Sequence, residues 1–138
     1  TDPSPQVHGP AAQVWHAYER ALSELAPAAV DLSDVPGAEA RVPPTPLMEA
    51  HYIQNSFFLE PGQLLHNAWR LSGIPGAVVQ GRYDLLCPPV AAEALARAWG
   101  HCRLQIMERA GHAMTEPGVM DAMREGLAEI ADSAFVRN

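Results

Sequence analysis

An α/β fold with parallel strands is predicted for residues 74–138 of this 138-residue sequence, with a helical segment of different texture before it. Three observations carry the prediction. Strand-like and helix-like patterns alternate from Ile74 onward. In residues 1–73, proline and glycine instead divide the chain into short helices and loop. The apolar fraction of 48%, against 18% charged residues, is that of a chain that buries a core.

After Gly9-Pro10, the residues Val14, Trp15, Tyr18, Leu22 and Leu25 recur at helical spacing until Pro27 closes the segment. From Pro27 to Pro46 the breakers Pro36, Gly37, Pro43, Pro44 and Pro46 predict a loop. Leu47 to Asn55 reads as a short helix, and Pro61-Gly62 introduces another carrying Leu64, Leu65, Ala68 and Trp69. Short helices broken by loops have the character of a lid. Gly76 to Gln80, bounded by Pro75 and Gly81, is a short apolar run and predicts a buried strand. Pro88-Pro89 opens a helix on which Ala91, Ala92, Leu95, Ala98 and Trp99 face one way, with Gly100 placed to end it. Arg103 to Glu108 predicts a second strand and Ala110 to Glu116 a loop; Pro117 starts a last helix with Val119, Met120, Met123, Leu127 and Ile130 on one face. Such an order predicts parallel pairing through a right-handed crossover. Two strands alone leave both sheet edges open, so a preceding segment of the same polypeptide or a second copy is expected to complete the sheet.

Charge and composition exclude several functions. The formal net charge is −7, and residues 1–73 are the more acidic part, with three arginines against eight carboxylates. No basic stripe is available to neutralise phosphates, so neither nucleic acid nor an anionic membrane surface is an expected partner. The chain has no lysine, which excludes Schiff-base and pyridoxal phosphate chemistry from its own residues. Cys87 and Cys102 form no disulfide framework and lack zinc-site spacing, so a reducing, cytoplasmic setting without metal is expected. No apolar run reaches the roughly 18 residues of a membrane span, and the start of the chain lacks the regions of a signal peptide. It begins with Thr1, which fits a chain that starts inside a longer protein.

The chemistry-bearing residues fall at the carboxyl ends of the two predicted strands, where open α/β sheets bind ligands. Gly81-Arg82-Tyr83-Asp84 follows the first and Ala110-Gly111-His112 the second. An acid and then a histidine, in that order, match the second and third members of a Ser, Asp, His triad. The carboxylate holds the imidazole in one tautomer so that its other nitrogen takes a hydroxyl proton and later delivers it to the leaving group. Singly, Asp84 reads as a turn residue and His112 as an ordinary loop histidine; their joint placement favours catalysis.

Gly81-Arg-Tyr-Asp-Leu-Leu-Cys-Pro88 and Ala110-Gly-His-Ala-Met-Thr-Glu-Pro-Gly118 resemble the carboxyl-terminal motifs of proline iminopeptidases, serine aminopeptidases of the α/β-hydrolase fold. Trp15-His-Ala-Tyr-Glu19 resembles the Trp-x-x-Trp-Glu pattern of that family's cap, and Glu49-Ala-His-Tyr52 its Glu-Asn-His-Tyr pattern. The resemblance runs from about residue 2 to residue 132. It implies a carboxyl-terminal fragment of an α/β-hydrolase fold, with residues 1–73 as part of a helical cap and 74–138 as the last two strands and their helices. It further implies Asp84 as triad acid, His112 as general base, and Glu19 with Glu49 as the binders of a peptide's free amino terminus. An α-amino group is largely cationic at neutral pH, and charge-assisted hydrogen bonds contribute about 1.5 to 3 kcal/mol each, so such a pair enforces removal of N-terminal residues.

None of Ser4, Ser23, Ser33, Ser56, Ser72 and Ser133 lies in a Gly-x-Ser-x-Gly elbow. The nucleophile is therefore expected in a preceding segment, and the 138 residues alone are expected to be inactive; no cofactor is needed. Ile53 stands where the family has an aromatic residue, and Tyr18 replaces its second tryptophan. An aliphatic wall loses ring stacking, so acceptance of another small apolar residue beside proline is expected. Phe57 and Phe58 read first as core packing, Cys87 as a small buried hydrophobe, His101-Cys102 as incidental, and Met114, Met120 and Met123 as packing residues. Two further readings stand beside the aminopeptidase: an epoxide-hydrolase or haloalkane-dehalogenase type of α/β hydrolase whose nucleophile is a missing aspartate, and a non-catalytic association module.

Overall fold

The computed structural model describes residues 4–26 and 44–135. Most of the predicted loop, with Ser33, lies outside them. The described residues fall into two compact units, one of residues 4–21, 26 and 44–61, the other of residues 22–25 and 62–135.

α1 (Pro5–Ser23), of the first unit up to residue 21, begins before Gly9-Pro10, earlier than expected, and encloses Pro10. A proline in a helix lacks one N–H and crowds the side chain of the residue before it. Gly9 has no side chain to crowd and is buried. α2 (Thr45–Gln54) matches the predicted helix and takes Pro46 in its first turn, where an N–H has no partner to lose. Asn55 ends it: its Nδ2 donates to the His51 carbonyl at 2.8 Å. A 3-10 turn at Ser56–Phe58 follows, with all three residues at left-handed φ. Phe57 and Phe58 are exposed, contrary to the core reading. They pack on Tyr52 instead, Phe57 stacked at 6.4 Å and Phe58 edge-on at 5.9 Å. The left-handed turn directs both rings back along α2.

In the second unit, α3 (Gln63–Asn67) runs into a 3-10 turn at Ala68–Leu71, where Ala68 is buried and Trp69 exposed. Then come β1 (Gly76–Gly81), α4 (Pro89–Trp99), β2 (Cys102–Met107) and α5 (Val119–Phe135). β1 and β2 are parallel and in register from Gly76 opposite Cys102 to Gly81 opposite Met107. This is the predicted strand, helix, strand, helix order, consistent with the last part of an α/β hydrolase. Successive strand residues point to opposite faces. A Cβ at Gly76 would meet the Trp99 ring of α4, whereas the Ala77 Cβ would lie 2.9 Å from one added at Gly126 of α5. The two helices therefore cover opposite faces of the pair.

The core is built of small side chains, Ala68, Ala96, Ala110, Val119 and Ala122. Two expected helix faces are corrected here. On α4 the buried residue is Ala96, and Ala91 is exposed. On α5 the inward stripe is Val119, Ala122, Gly126 and Ile130, while Met120, Met123 and Leu127 are exposed. Close approach of helix to sheet selects small residues, and a periodicity of large apolar residues misses them. No helix among the described residues is long and apolar enough to cross a membrane.

Candidate active site

The loop after β1 is stitched to the loop after β2. Arg82 N–H donates to the Met107 carbonyl at 2.9 Å and Tyr83 N–H to the Ala110 carbonyl at 3.0 Å. The crossing is possible because residue 81 is glycine: a Cβ there would fall 2.7 Å from the Ala110 oxygen and closer still to that of Gly111. On the outer side the Arg82 guanidinium holds Glu108 through two bonds, at 2.7 and 3.1 Å. The histidine loop has a second anchor, since the N–H groups of His112 and Ala113 both donate to the Ser23 carbonyl at 2.8 Å. The Leu25 N–H donates to the Glu116 carboxylate alongside.

Asp84 and His112, 28 positions apart, meet here. Asp84 Oδ2 lies 2.9 Å from His112 Nδ1, with the aspartate side chain 5% exposed and the histidine 42%. The other carboxylate oxygen, Oδ1, accepts the backbone N–H groups of Leu86 at 3.0 Å and Cys87 at 2.8 Å. Oδ2 also accepts Gln80 Nε2 at 3.0 Å. Burial by itself pushes the Asp84 carboxyl up, but the bonds from Cys87, His112 and Gln80 outweigh it and hold the group below its ordinary value. Asp84 is therefore ionised at neutral pH and only accepts. Nδ1 must then carry the proton, which leaves Nε2 as the nitrogen able to take one from a hydroxyl.

Glu19 and Glu49 also meet, within the first unit. Trp15 and Glu19 stand four residues apart on one face of α1, and Trp15 Nε1 donates to Glu49 Oε2 of α2 at 2.8 Å. Partial burial, followed by the hydrogen bond and charge shared with Glu49, raises the Glu19 carboxyl above its usual range; Trp15 and His16 pull more weakly the other way.

The sequence reading missed two members of these sites, Gln80 and the Trp15 donor. Gln80 was visible as the polar residue closing an apolar strand, whereas the partner of Trp15 lies 34 positions away. Cys87 is exposed rather than a buried hydrophobe. Its thiol is pushed up by the burial of its inner part and then by the charge of Asp84. Among the described residues, no three of His, Cys, Asp and Glu cluster to hold a metal ion.

No family model matches the chain. It is 39% identical over 122 residues to a proline iminopeptidase of Xanthomonas citri, covering 82% of this chain and 36% of that protein. A probable proline iminopeptidase of Leptolyngbya boryana is 35% identical over 132 residues, 89% of this chain and 38% of its own length. One from Arabidopsis thaliana is 34% identical over 123 residues, 83% of this chain and 30% of its own. The chain thus spans about a third of the length of the relatives it matches.

Proposed function

We propose that this chain, a relative of the proline iminopeptidases across most of its own length, is the acid-base and amino-terminus-binding part of a serine aminopeptidase. The observation that carries the reading is the 2.9 Å contact of buried, ionised Asp84 with His112 Nδ1 at the ends of adjacent parallel strands. In this mechanism a serine from a preceding segment of the parent attacks the first peptide carbonyl. His112 Nε2 takes the serine proton and gives it to the leaving amine, and Asp84 stabilises the imidazolium between those steps. Water then hydrolyses the acyl-enzyme by the same route. The preceding segment, or a second copy, pairs with an open edge of the β1-β2 sheet. Unpaired Cys87 and Cys102 fit a cytoplasmic setting.

Glu19 and Glu49 bind the substrate's ammonium group, and exposed Tyr52, Ile53 and Phe57 offer apolar surface to an N-terminal proline or another small apolar residue. Binding needs both carboxylates ionised, and the raised Glu19 carboxyl takes up its proton at higher pH than usual. KM for a proline amide is therefore expected to rise on acidification, starting above the ordinary carboxylate range. In Glu19→Gln the part of that limb above the ordinary carboxylate range should be lost while KM is raised at every pH, by about ten- to a hundredfold for one lost charged hydrogen bond. A Glu19→Gln enzyme with the wild-type KM profile would remove the residue from the binding role.

The reaction class is tested by labelling the full-length protein with a serine-directed fluorophosphonate and assaying release of N-terminal proline. Labelling with release supports the serine aminopeptidase. An unlabelled but active hydrolase points to an aspartate nucleophile of the epoxide-hydrolase or haloalkane-dehalogenase type.

A further inference from the structure

We propose that Gln80 is a positioning residue, whose side-chain amide at the end of β1 fixes the Asp84 carboxylate against the His112 ring. This rests on the reading of Asp84 and His112 as an acid-base pair. Gln80 is 9% exposed, and its amide sits in a strand otherwise made of Gly76, Ala77, Val78, Val79 and Gly81. A buried amide costs free energy unless it is bonded. Nε2 lies 3.0 Å from Asp84 Oδ2, 3.1 Å from the Cys87 carbonyl and 3.2 Å from the Gly81 carbonyl. All three acceptors belong to the strand end and loop that carry Asp84, so the amide joins both ends of that loop to the carboxylate inside it.

The arrangement occupies the carboxylate fully. Two backbone N–H groups take Oδ1, and Gln80 and His112 share Oδ2. Loss of the Gln80 donor frees the carboxylate to turn about its Cα-side bonds and leaves His112 as the only side-chain donor on Oδ2 among these contacts. A carboxylate free to turn spends less time in line with the His112 ring, so the support it gives the imidazolium during the reaction weakens. The titratable groups facing Asp84 are His112 and the Cys87 thiol, and the thiol is pushed up and stays neutral near pH 7. The Arg82 charge is engaged by Glu108.

The test uses the full-length enzyme with Gln80→Met, which keeps length and loses the donor, and Gln80→Glu, which keeps shape and replaces the donor by an acid. For Gln80→Met the expected result is a kcat lower by roughly ten- to a hundredfold, the scale of a hydrogen bond to a charged group, with KM unchanged. For Gln80→Glu, kcat relative to wild type should fall further as pH rises, because the introduced carboxylate ionises and repels Asp84. Wild-type kcat in Gln80→Met, or a pH-independent ratio in Gln80→Glu, would overturn the proposal. If Gln80→Met does not fold, the pH dependence of Gln80→Glu decides alone. An active Asp84→Asn enzyme would instead sink the underlying acid-base reading, so the two failures are told apart.

Discussion

Replacing Asp84 by asparagine in the full-length enzyme is expected to lower kcat by about four orders of magnitude, the scale on which neutralising a triad acid acts. The side chain keeps its shape and its two backbone donors to Oδ1, and an amide nitrogen in place of Oδ2 gives up the bond from Gln80 Nε2. What changes is the proton. An asparagine amide turned toward His112 donates to Nδ1, which forces the other tautomer and leaves Nε2 protonated and unable to accept. His112→Ala should cost at least as much, since it removes the base itself. Turnover of a proline amide by both variants, with circular dichroism to check folding, measures the effect. Activity of Asp84→Asn within tenfold of wild type would take Asp84 out of the mechanism.

Gly81→Ala is expected to be the most destabilising methyl group that can be added to the second unit. Its Cβ would overlap the Gly111 carbonyl and lie 2.7 Å from that of Ala110. Both are backbone atoms in loops pinned by Tyr83 to Ala110 and by His112 to Ser23, so no side chain can swing away. The cost should exceed about 3 kcal/mol, the upper range of overpacking, and activity should fall with it because the displaced loops carry Asp84 and His112. Gly73→Ala is the control, with nothing within 4 Å of the added atom and an expected change below about 0.5 kcal/mol. Equal denaturation midpoints for the two variants would show that the loops yield.

The legibility of the sequence followed the range of the interactions. Strands and helices of the second unit were readable because proline, glycine and apolar runs act over a few residues. Their faces were less so: Val119, Ala122 and Gly126 are buried on α5 because the helix sits close to Ala77, and nothing in the local pattern of Met120, Met123 and Leu127 announces that distance. The start of α1 was misplaced for a local reason, since Pro10 reads as a stop until the missing side chain of Gly9 is taken into account.

By itself the sequence determined which residue types stand at the ends of the two strands, because an acid and a histidine in glycine-containing loops after alternating strands and helices are features of composition and order. It also determined, through motifs, that Glu19 and Glu49 deserve to be considered together. Only the tertiary structure decided that Asp84 Oδ2 meets His112 Nδ1, that Gln80 shares that oxygen and that Trp15 reaches Glu49. The His112 and Trp15 bonds span tens of residues, and the Gln80 bond, though only four positions long, exists because the loop doubles back under the carboxylate. Direction and distance of this kind are set by backbone crossings such as Gly81 beneath Gly111, which pack by shape and leave no periodic trace in the chain.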